Sequence, residues 1–245
     1  MKTYPIPSRK PAVGLPGCVA FGFAVGIAGG QLHAGLIASG QYNGHTYQVW
    51  GNDGLTNDER DYLSASAFAA TLNFAGAPGR LVRMDDFLEN SFVHALLGSV
   101  DALLTSTAAD GGGVRYVWIG ADDLDDADTI NEGVWRWLNG GDQFWQGGPA
   151  GTPVGGLYNN WAFGRFGQSE PDDFNGNQDA AAMALDAYPA LLPGLLGQPG
   201  QWNDINHLNV LPFVVEFAAI PEPRHGALVI AGLALSGALW RRLRR

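Results

Sequence analysis

Two short acidic stretches, Glu170-Pro171-Asp172 and Trp202-Asn203-Asp204, set out four oxygen-bearing side chains in surroundings rich in glycine, asparagine and proline. Oxygen ligands grouped in this way suit a calcium ion, which takes roughly 6 to 8 of them from carboxylates, amide carbonyls, backbone carbonyls and water. The proline braces a turn and the tryptophan anchors the start of a strand, so the two pieces would hold most of one coordination shell between them.

On either side of these stretches, short apolar runs alternate with turn residues. Tyr47 to Trp50, after the turn at Asn43-Gly44, reads as an opening strand. Thr56-Asn57-Asp58-Glu59 matches a capping box, and Leu63, Ala67, Ala70 and Phe74 recur at helical spacing, which predicts a helix ending before Gly76. Ala77-Pro78-Gly79 predicts a turn into a short strand over Arg80 to Met84. Asp85-Asp86 can cap a second helix, whose Leu88, Phe92, Ala95 and Leu96 share a face and whose stop is Gly98. Val100 to Gly113 reads as loop. β-Branched and aromatic residues then mark strands over Val114 to Gly120 and Gly133 to Leu138, the second with Trp135 and Trp137 on one face. Asn139 to Gln178 is a long loop-like stretch, and ordered loops of that length tend to be functional. Ala180 to Leu185 and Leu211 to Ala219 close a sheet, while the Leu, Pro and Gly-rich insertion from Pro189 to Gly200 has no assigned place. The sum is an α+β domain with two helices near the start, short mixed and antiparallel sheets and a long loop.

In this order the landmarks resemble those of a C-type lectin-like domain. The matching pieces are Gly79-Arg80-Leu81-Val82 ahead of Glu89-Asn90-Ser91-Phe92-Val93, then Trp118-Ile119-Gly120, Glu132-Gly133-Val134-Trp135-Arg136-Trp137, Tyr158-Asn159-Asn160-Trp161, Glu170-Pro171-Asp172, Trp202-Asn203-Asp204 and Phe213-Val214-Val215-Glu216. They run from about Asn43 to Phe217, most of the chain between its two ends.

The resemblance implies a principal calcium site built from Glu170, Asp172, Asn203 and Asp204, with Gln178 where the family places a glutamate and supplying a weaker amide ligand. Asp179 matches an acidic position that sometimes serves an auxiliary calcium site. In sugar-binding members two vicinal hydroxyls of a monosaccharide also coordinate the ion and bond the same protein oxygens, which implies a carbohydrate site at Glu170, Asp172, Asn203 and Asp204. Pro171 follows a cis bond in those members. Glu-Pro-Asp combines a mannose-type first residue with a galactose-type third, so the sugar is not fixed. Ala180, His207 and Val215 stand where family members carry cysteines. The segment Trp145 to Leu157 reads as added loop, and Arg165-Phe166-Gly167-Gln168 lengthens the approach to Glu170.

The ends carry their own signals. Residues 1–40 hold Lys2, Arg9 and Lys10, a run of small and apolar residues and no acid, the pattern of a secretory leader, with small-residue cleavage points at Ala28 to Gly30 and at Ala38 to Gly40. Pro221-Glu222-Pro223, an apolar run from His225 to Trp240 and Arg241, Arg242, Arg244 and Arg245 resemble a PEP-CTERM sorting signal. That resemblance implies an exosortase partner, membrane attachment before processing, and export to the envelope of a Gram-negative bacterium; a plain membrane anchor is the other reading of residues 220–245. The expected organisation is a leader over 1–40, the lectin-like domain over 41–219 and the sorting segment over 220–245.

The whole sequence has 14 basic and 24 acidic residues; three basic ones lie in 1–40, and five basic and one acidic in 221–245, leaving six arginines against 23 acids, a formal −17. A surface of that sign repels nucleic acid phosphates; it favours divalent cations and equally keeps an exported protein soluble. The single cysteine, Cys18, lies in the leader, so a processed domain would be cysteine-free, without disulfides or thiol chemistry. The roughly 180 residues that remain can bury close to 70% of their unfolded surface and fold without staples.

Trp118, Trp135, Trp137, Trp161 and Trp202 read as packing residues. The run Asp122, Asp123, Asp125, Asp126 and Asp128 lacks the EF-hand spacing and reads more simply as a solvated loop than as a second calcium site. No nucleophile elbow, phosphate loop or zinc-helix motif occurs, and adjacent acids in a turn do not make a glycosidase pair. The expected function is non-enzymatic, calcium-dependent binding of envelope or extracellular polysaccharide; a structural or adhesive domain that binds protein rather than sugar is the alternative, and an enzyme acting on polysaccharide a third.

Overall fold

The structure, a computed structural model, describes residues 35–124, 132–138, 141–167 and 169–218. Residues 1–34, Asp125, Asp126 and Asp128 of the acidic run, Gln168 and the segment from 219 with its sorting resemblance lie outside the described residues.

β1 (Leu36–Tyr42) and β2 (His45–Trp50) form an antiparallel hairpin across Asn43-Gly44, both at positive φ. β1 lies within the segment read as a leader, and Ala38 to Gly40 belongs to a paired strand. α1 spans Tyr62–Thr71 and is capped by Asp61, whose side chain accepts from the Ser64 amide. This corrects the sequence expectation twice. The box at Thr56 is instead a turn closed on Asp53, which accepts from the amides of Leu55 and Thr56. The buried face is Tyr62, Ala65 and Ala69, whereas Leu63 is 46% exposed. Most of α1 is apolar or small, so apolar spacing could not say which side faces inward.

β3 (Asn73–Phe74) and β4 (Ala77–Leu81) pair across Ala75-Gly76, so the strand expected from Arg80 starts at Ala77 and the turn precedes it. α2 (Phe87–Gly98) is capped by Asp86, accepting from the Glu89 amide, and ends at the expected glycine. Its inner face is Glu89, Asn90, Phe92, Val93, Leu96 and Leu97, and Leu88 is turned outward.

β5 (Thr107–Ala108) leads into β6 (Val114–Asp122), the hub that pairs with β5, β7 (Val134–Trp137) and β10 (Ala180–Ala184). β8 (Gln143–Gln146) and β9 (Thr152–Pro153) extend the β7 edge, inside a stretch the sequence marks as loop. β11 (Trp202–Ile205) pairs with β10 and bridges Trp161 through Trp202, and β12 (Phe213–Phe217) lies between β2 and β4, meeting β6 in parallel at Phe213 and Trp118. The expected α+β class, two helices with a mixed sheet, is what the chain forms.

Alternation along β6 divides the core. Val117 and Ile119 face a cluster with Phe92, Val93 and Leu96 of α2, while Tyr116 and Trp118 face one with Tyr62, Ala65 and Ala69 of α1. An aromatic group closes the α2 side, where the Trp202 ring lies 5.5 Å from Trp137 and 6.0 Å from Trp161. These rings contribute most of the buried apolar area at this end and anchor β11, the strand that carries Asn203 and Asp204.

Candidate metal centre

Glu170 ends a small hairpin in which its amide donates to the Ala162 carbonyl at 2.9 Å and Phe163 bridges to Ser169. The Glu170–Pro171 bond is cis, as the resemblance implies. Beyond it the chain closes on itself. Asp172 Oδ1 accepts from the Phe174 amide at 3.2 Å, Asp173 Oδ1 from the Gln178 amide at 3.1 Å, and the turn passes through positive φ at Asp173, Asn175 and Gly176. Asp204, from β11, reaches across and accepts from the amides of Asp172 at 3.1 Å and Asp173 at 2.8 Å. One carboxylate thus fixes the acidic turn against the sheet.

Ligand-capable oxygens of Glu170, Asp172 and Asp204 lie within 4.8 Å of one another. Glu170 and Asp204 are buried and Asp172 is exposed, so the group opens to solvent on one side. Glu170 Oε1 accepts from the Tyr188 hydroxyl at 3.3 Å, but Oε2 is buried without a partner. An unpaired buried carboxylate oxygen is costly. Burial first, then the charges of Asp204 and Asp172, push Glu170 up to about 9. Burial also raises Asp172, and holds Asp204 well above the carboxylate range despite its two amide donors. A divalent cation would reverse that balance by supplying the missing positive charge, so the residues present fit such an ion.

Asn203 and Gln178 line the same cleft of about 280 Å³, together with Asp110, Phe174, Tyr188 and Leu196. Asn203 donates to the Tyr116 hydroxyl at 2.9 Å, which in turn donates to the Gly111 carbonyl. The amide thereby has a fixed orientation. Gln178 Oε1 accepts from the Phe174 amide at 2.6 Å and its Nε2 donates to the Asp110 carbonyl at 3.2 Å, so it braces the loop from within the cleft wall.

Asp179 stands apart from this cleft. Its Oδ2 lies 2.9 Å from His207 Nδ1, its carbonyl accepts from the Asp123 amide, and its Oδ1 is buried without a partner. Asp123 is alike: Oδ2 accepts from the Gly133 amide at 2.9 Å and Oδ1 is buried and unpartnered. Burial, with added repulsion from Glu132, Asp179 and Asp122, pushes Asp123 up to about 8. The first two aspartates of the acidic run are therefore buried rather than solvated, correcting the simpler sequence reading for Asp122 and Asp123. Their place beside a strand end was legible, but not which would turn inward.

A third group, His45, Glu89 and Glu216, has a ligand-like arrangement too. Here the oxygens are already engaged: Glu216 by His45 at 2.5 Å, by Arg80 at 3.1 Å and by the Arg83 amide at 3.3 Å, and Glu89 by Tyr47 at 2.5 Å and the Asp85 amide at 2.7 Å. Arg80 supplies the positive charge at that position, so no ion is called for. Tyr188 and Tyr116, to which the sequence reading gave no site role, are further residues that touch candidate ligands, Glu170 and Asn203.

No protein-family profile matches the sequence, and no curated protein does. Among solved structures, the chain is similar to the C-type lectin CEL-I from Cucumaria echinata, at 17% identity and a TM-score of 0.48, over 74% of this chain and 96% of that one. It is similar to the mouse scavenger receptor C-type lectin carbohydrate-recognition domain at 20% identity and a TM-score of 0.42, over 75% and 97% of the two chains. A calcium-independent type II antifreeze protein aligns at 16% identity and a TM-score of 0.43, over 74% and 92%.

Proposed function

We propose that this chain is a non-enzymatic, calcium-dependent carbohydrate-binding module of the C-type lectin-like kind. The observation that carries the reading is the carboxylate trio itself: Glu170, Asp172 and Asp204 converge at one end of a cleft, and one buried oxygen of Glu170 has no partner. Glu170, Asp172, Asn203 and Asp204 would hold the ion, with Gln178 bracing the loop and available as a weaker ligand. When bound, calcium supplies an electrophilic anchor for vicinal hydroxyls, and the same oxygens accept their hydrogen bonds. The protein's own part is to hold the acidic turn on Asp204 and to orient Asn203 through Tyr116, so that little ordering is left for binding. Asp123 and Asp179 would form an auxiliary calcium site that stiffens the start of β10.

The leader and the Pro-Glu-Pro tail extend this reading to an exported protein of a Gram-negative envelope or extracellular matrix. The tail would sit in the membrane before an exosortase removes it, and the target would be extracellular polysaccharide. The alternative is a protein-binding adhesive domain. It draws support from Asp204, whose two oxygens each accept a backbone amide, so the protein's own hydrogen bonds hold the loop on β11.

Calorimetric titration with Ca²⁺ and a glycan array run in calcium and in chelator test the proposal. Calcium uptake and chelator-sensitive glycan binding, both lost in Asp204→Asn, are expected. A domain that takes up no calcium, or glycan binding that survives both chelator and Asp204→Asn, would overturn it.

A further inference from the structure

Two hairpins rise from the cleft wall, and both feet belong to the site. The first runs from Ala162 to Glu170. The second runs from Tyr188 to Gly197, with the Tyr188 amide donating to the Gly197 carbonyl at 3.1 Å and the Leu196 amide to the Tyr188 carbonyl at 3.0 Å. Glu170 and Tyr188 join the feet through their 3.3 Å hydrogen bond. The Arg165 amide joins the two hairpins, donating to the Leu195 carbonyl at 2.8 Å. Gly197 permits this packing, since a Cβ there would fall 2.2 Å from the Tyr188 ring. The insertion that the sequence could not place is thus the second wall of the cleft.

The tips are apolar and uncovered. Leu191 is 93% exposed, Phe166 74% and Leu192 60%; Phe163, at the base of the first hairpin, is 69% exposed, and Phe174, at 54%, lines the cleft. Scattered exposed leucines need no explanation, but large apolar side chains gathered on two joined hairpins beside a binding cleft mark an interaction surface. Among the described residues the tips also carry no acid, in a domain with 23 of them. Arg165, on the first tip, is exposed. It is the one arginine among the described residues whose side chain makes neither an ion pair nor a hydrogen bond, for the other five are engaged by Asp58, Glu216, Asp85, Asp186 and the Gly141 carbonyl.

We propose that the ligand is an amphiphile in a bilayer, a polyol headgroup joined through a phosphate to acyl chains, and that the two hairpin tips meet the headgroup–acyl boundary while the cleft holds the polyol. This rests on the calcium-site reading above, which it deepens by naming the ligand class. Glu170 and Tyr188, the feet of the two hairpins, line the cleft with the exposed Phe174, so a group linked to a headgroup seated among Glu170, Asp172 and Asn203 leaves the cleft beside the hairpins that carry Phe166 and Leu191. Phenylalanine and leucine are the side chains that settle at such a boundary, and one exposed arginine beside them complements one phosphate. An anionic lipid with no polyol would meet the acidic cleft unfavourably.

Vesicle flotation separates the contributions. The full chain is mixed with phosphatidylcholine vesicles, alone, with phosphatidic acid, or with phosphatidylinositol, in calcium and in chelator. Capture by the phosphatidylinositol vesicles in calcium, at least about tenfold above the other two and released by chelator, is expected. Phe166→Ser with Leu191→Ser should abolish capture and leave calorimetric calcium uptake unchanged, and Arg165→Ala should weaken capture. A protein that binds calcium and soluble glycan but floats with no vesicle overturns this inference and leaves the calcium-site reading standing. Capture that ignores the tip substitutions, or equal capture by phosphatidic acid, overturns it as well. A concentration-dependent dimer lost on the tip substitutions, without vesicle capture, assigns the tips to a second copy instead. Failure of calcium uptake in the unaltered protein overturns both readings.

Discussion

The hydroxyl of Tyr188 donates to Oε1 of Glu170 at 3.3 Å, and the other oxygen of that carboxylate, Oε2, is buried with no partner among the described residues. A hairpin inserted far along the chain therefore holds one half of a candidate ligand and leaves the other half unsatisfied. Tyr188→Phe removes the donor with little change of shape. A hydrogen bond to a charged group contributes about 1.5 to 3 kcal/mol, so calcium affinity should fall roughly tenfold or more. Calorimetry on the variant checks this, and an unchanged or tighter affinity would mean that the hydroxyl competes with the ion.

Protons and calcium compete for the same oxygens. Burial and neighbouring carboxylates raise Glu170 to about 9 in the calcium-free protein, from an ordinary value of 4.5. The folded state then binds more protons than the unfolded chain between those two values, so this group's contribution to stability is fully present below pH 4.5 and is lost as pH rises through about 9. Asp172 and Asp204 are raised too and act in the same direction. Calcium-free protein should therefore unfold more easily at pH 9 than at pH 6, and calcium affinity should rise over that interval with proton release. Calorimetry in buffers of different ionisation enthalpy measures the protons directly.

The same linkage gives a stability readout. A ligand at a hundred times its dissociation constant stabilises the folded state by about 2.7 kcal/mol. For a domain of this size that is a rise of about 5 to 10 °C in melting temperature. Asp204→Asn should abolish the rise, since it removes the one charge that reaches the site from β11. Differential scanning calorimetry with and without calcium is the test; a rise of equal size in the variant would move the ion elsewhere.

Much of this architecture is legible in the sequence. The turn at Asn43-Gly44, the Asp86 cap and the strands through Trp118 and around Val214 follow from local signals that tertiary contacts reinforce, while the grouping of Glu170 with Asp204 was what the family resemblance implied. What failed did so for identifiable reasons. α1 offered two apolar faces, and only packing against Trp50, Trp118 and Phe213 selects the one with Tyr62. β8 and β9 are too short for period-two alternation to show, and they exist because β7 presents an edge to pair with. Tyr188 could not have been found from spacing, because its link to Glu170 is made through a hairpin whose only local mark is a run of leucine, proline and glycine.

Asn90 joins the helix to the site strand. Its Oδ1 accepts from Trp202 Nε1 at 2.8 Å and its Nδ2 donates to the Gly200 carbonyl at 3.1 Å, both in the buried interior. Asn90→Ala would leave a buried donor without its partner, at a cost of about 1 to 3 kcal/mol. Chemical denaturation should show a loss of roughly 2 kcal/mol, with calcium affinity falling further than in a surface control because Trp202 precedes Asn203 and Asp204. A loss of stability with no change in calcium affinity would confine Asn90 to the core.

Asp123 and Asp179 allow the number of ions to be counted. Each has one buried oxygen without a partner, and the Asp123 amide donates to the Asp179 carbonyl at 3.2 Å, which keeps the two residues side by side. After burial, repulsion from Glu132 is a further cause that pushes the Asp123 carboxyl up. A cation at this position would relieve three acidic groups at once, while His207 already engages only one oxygen of Asp179. Calorimetry on the unaltered protein should then give two calcium ions per chain. Asp123→Asn should leave one, with the affinity of the Glu170 and Asp204 site, whereas Asp204→Asn should leave the other. A single ion in the unaltered protein, lost in Asp204→Asn and kept in Asp123→Asn, would mean that Asp123 is simply held protonated by its burial.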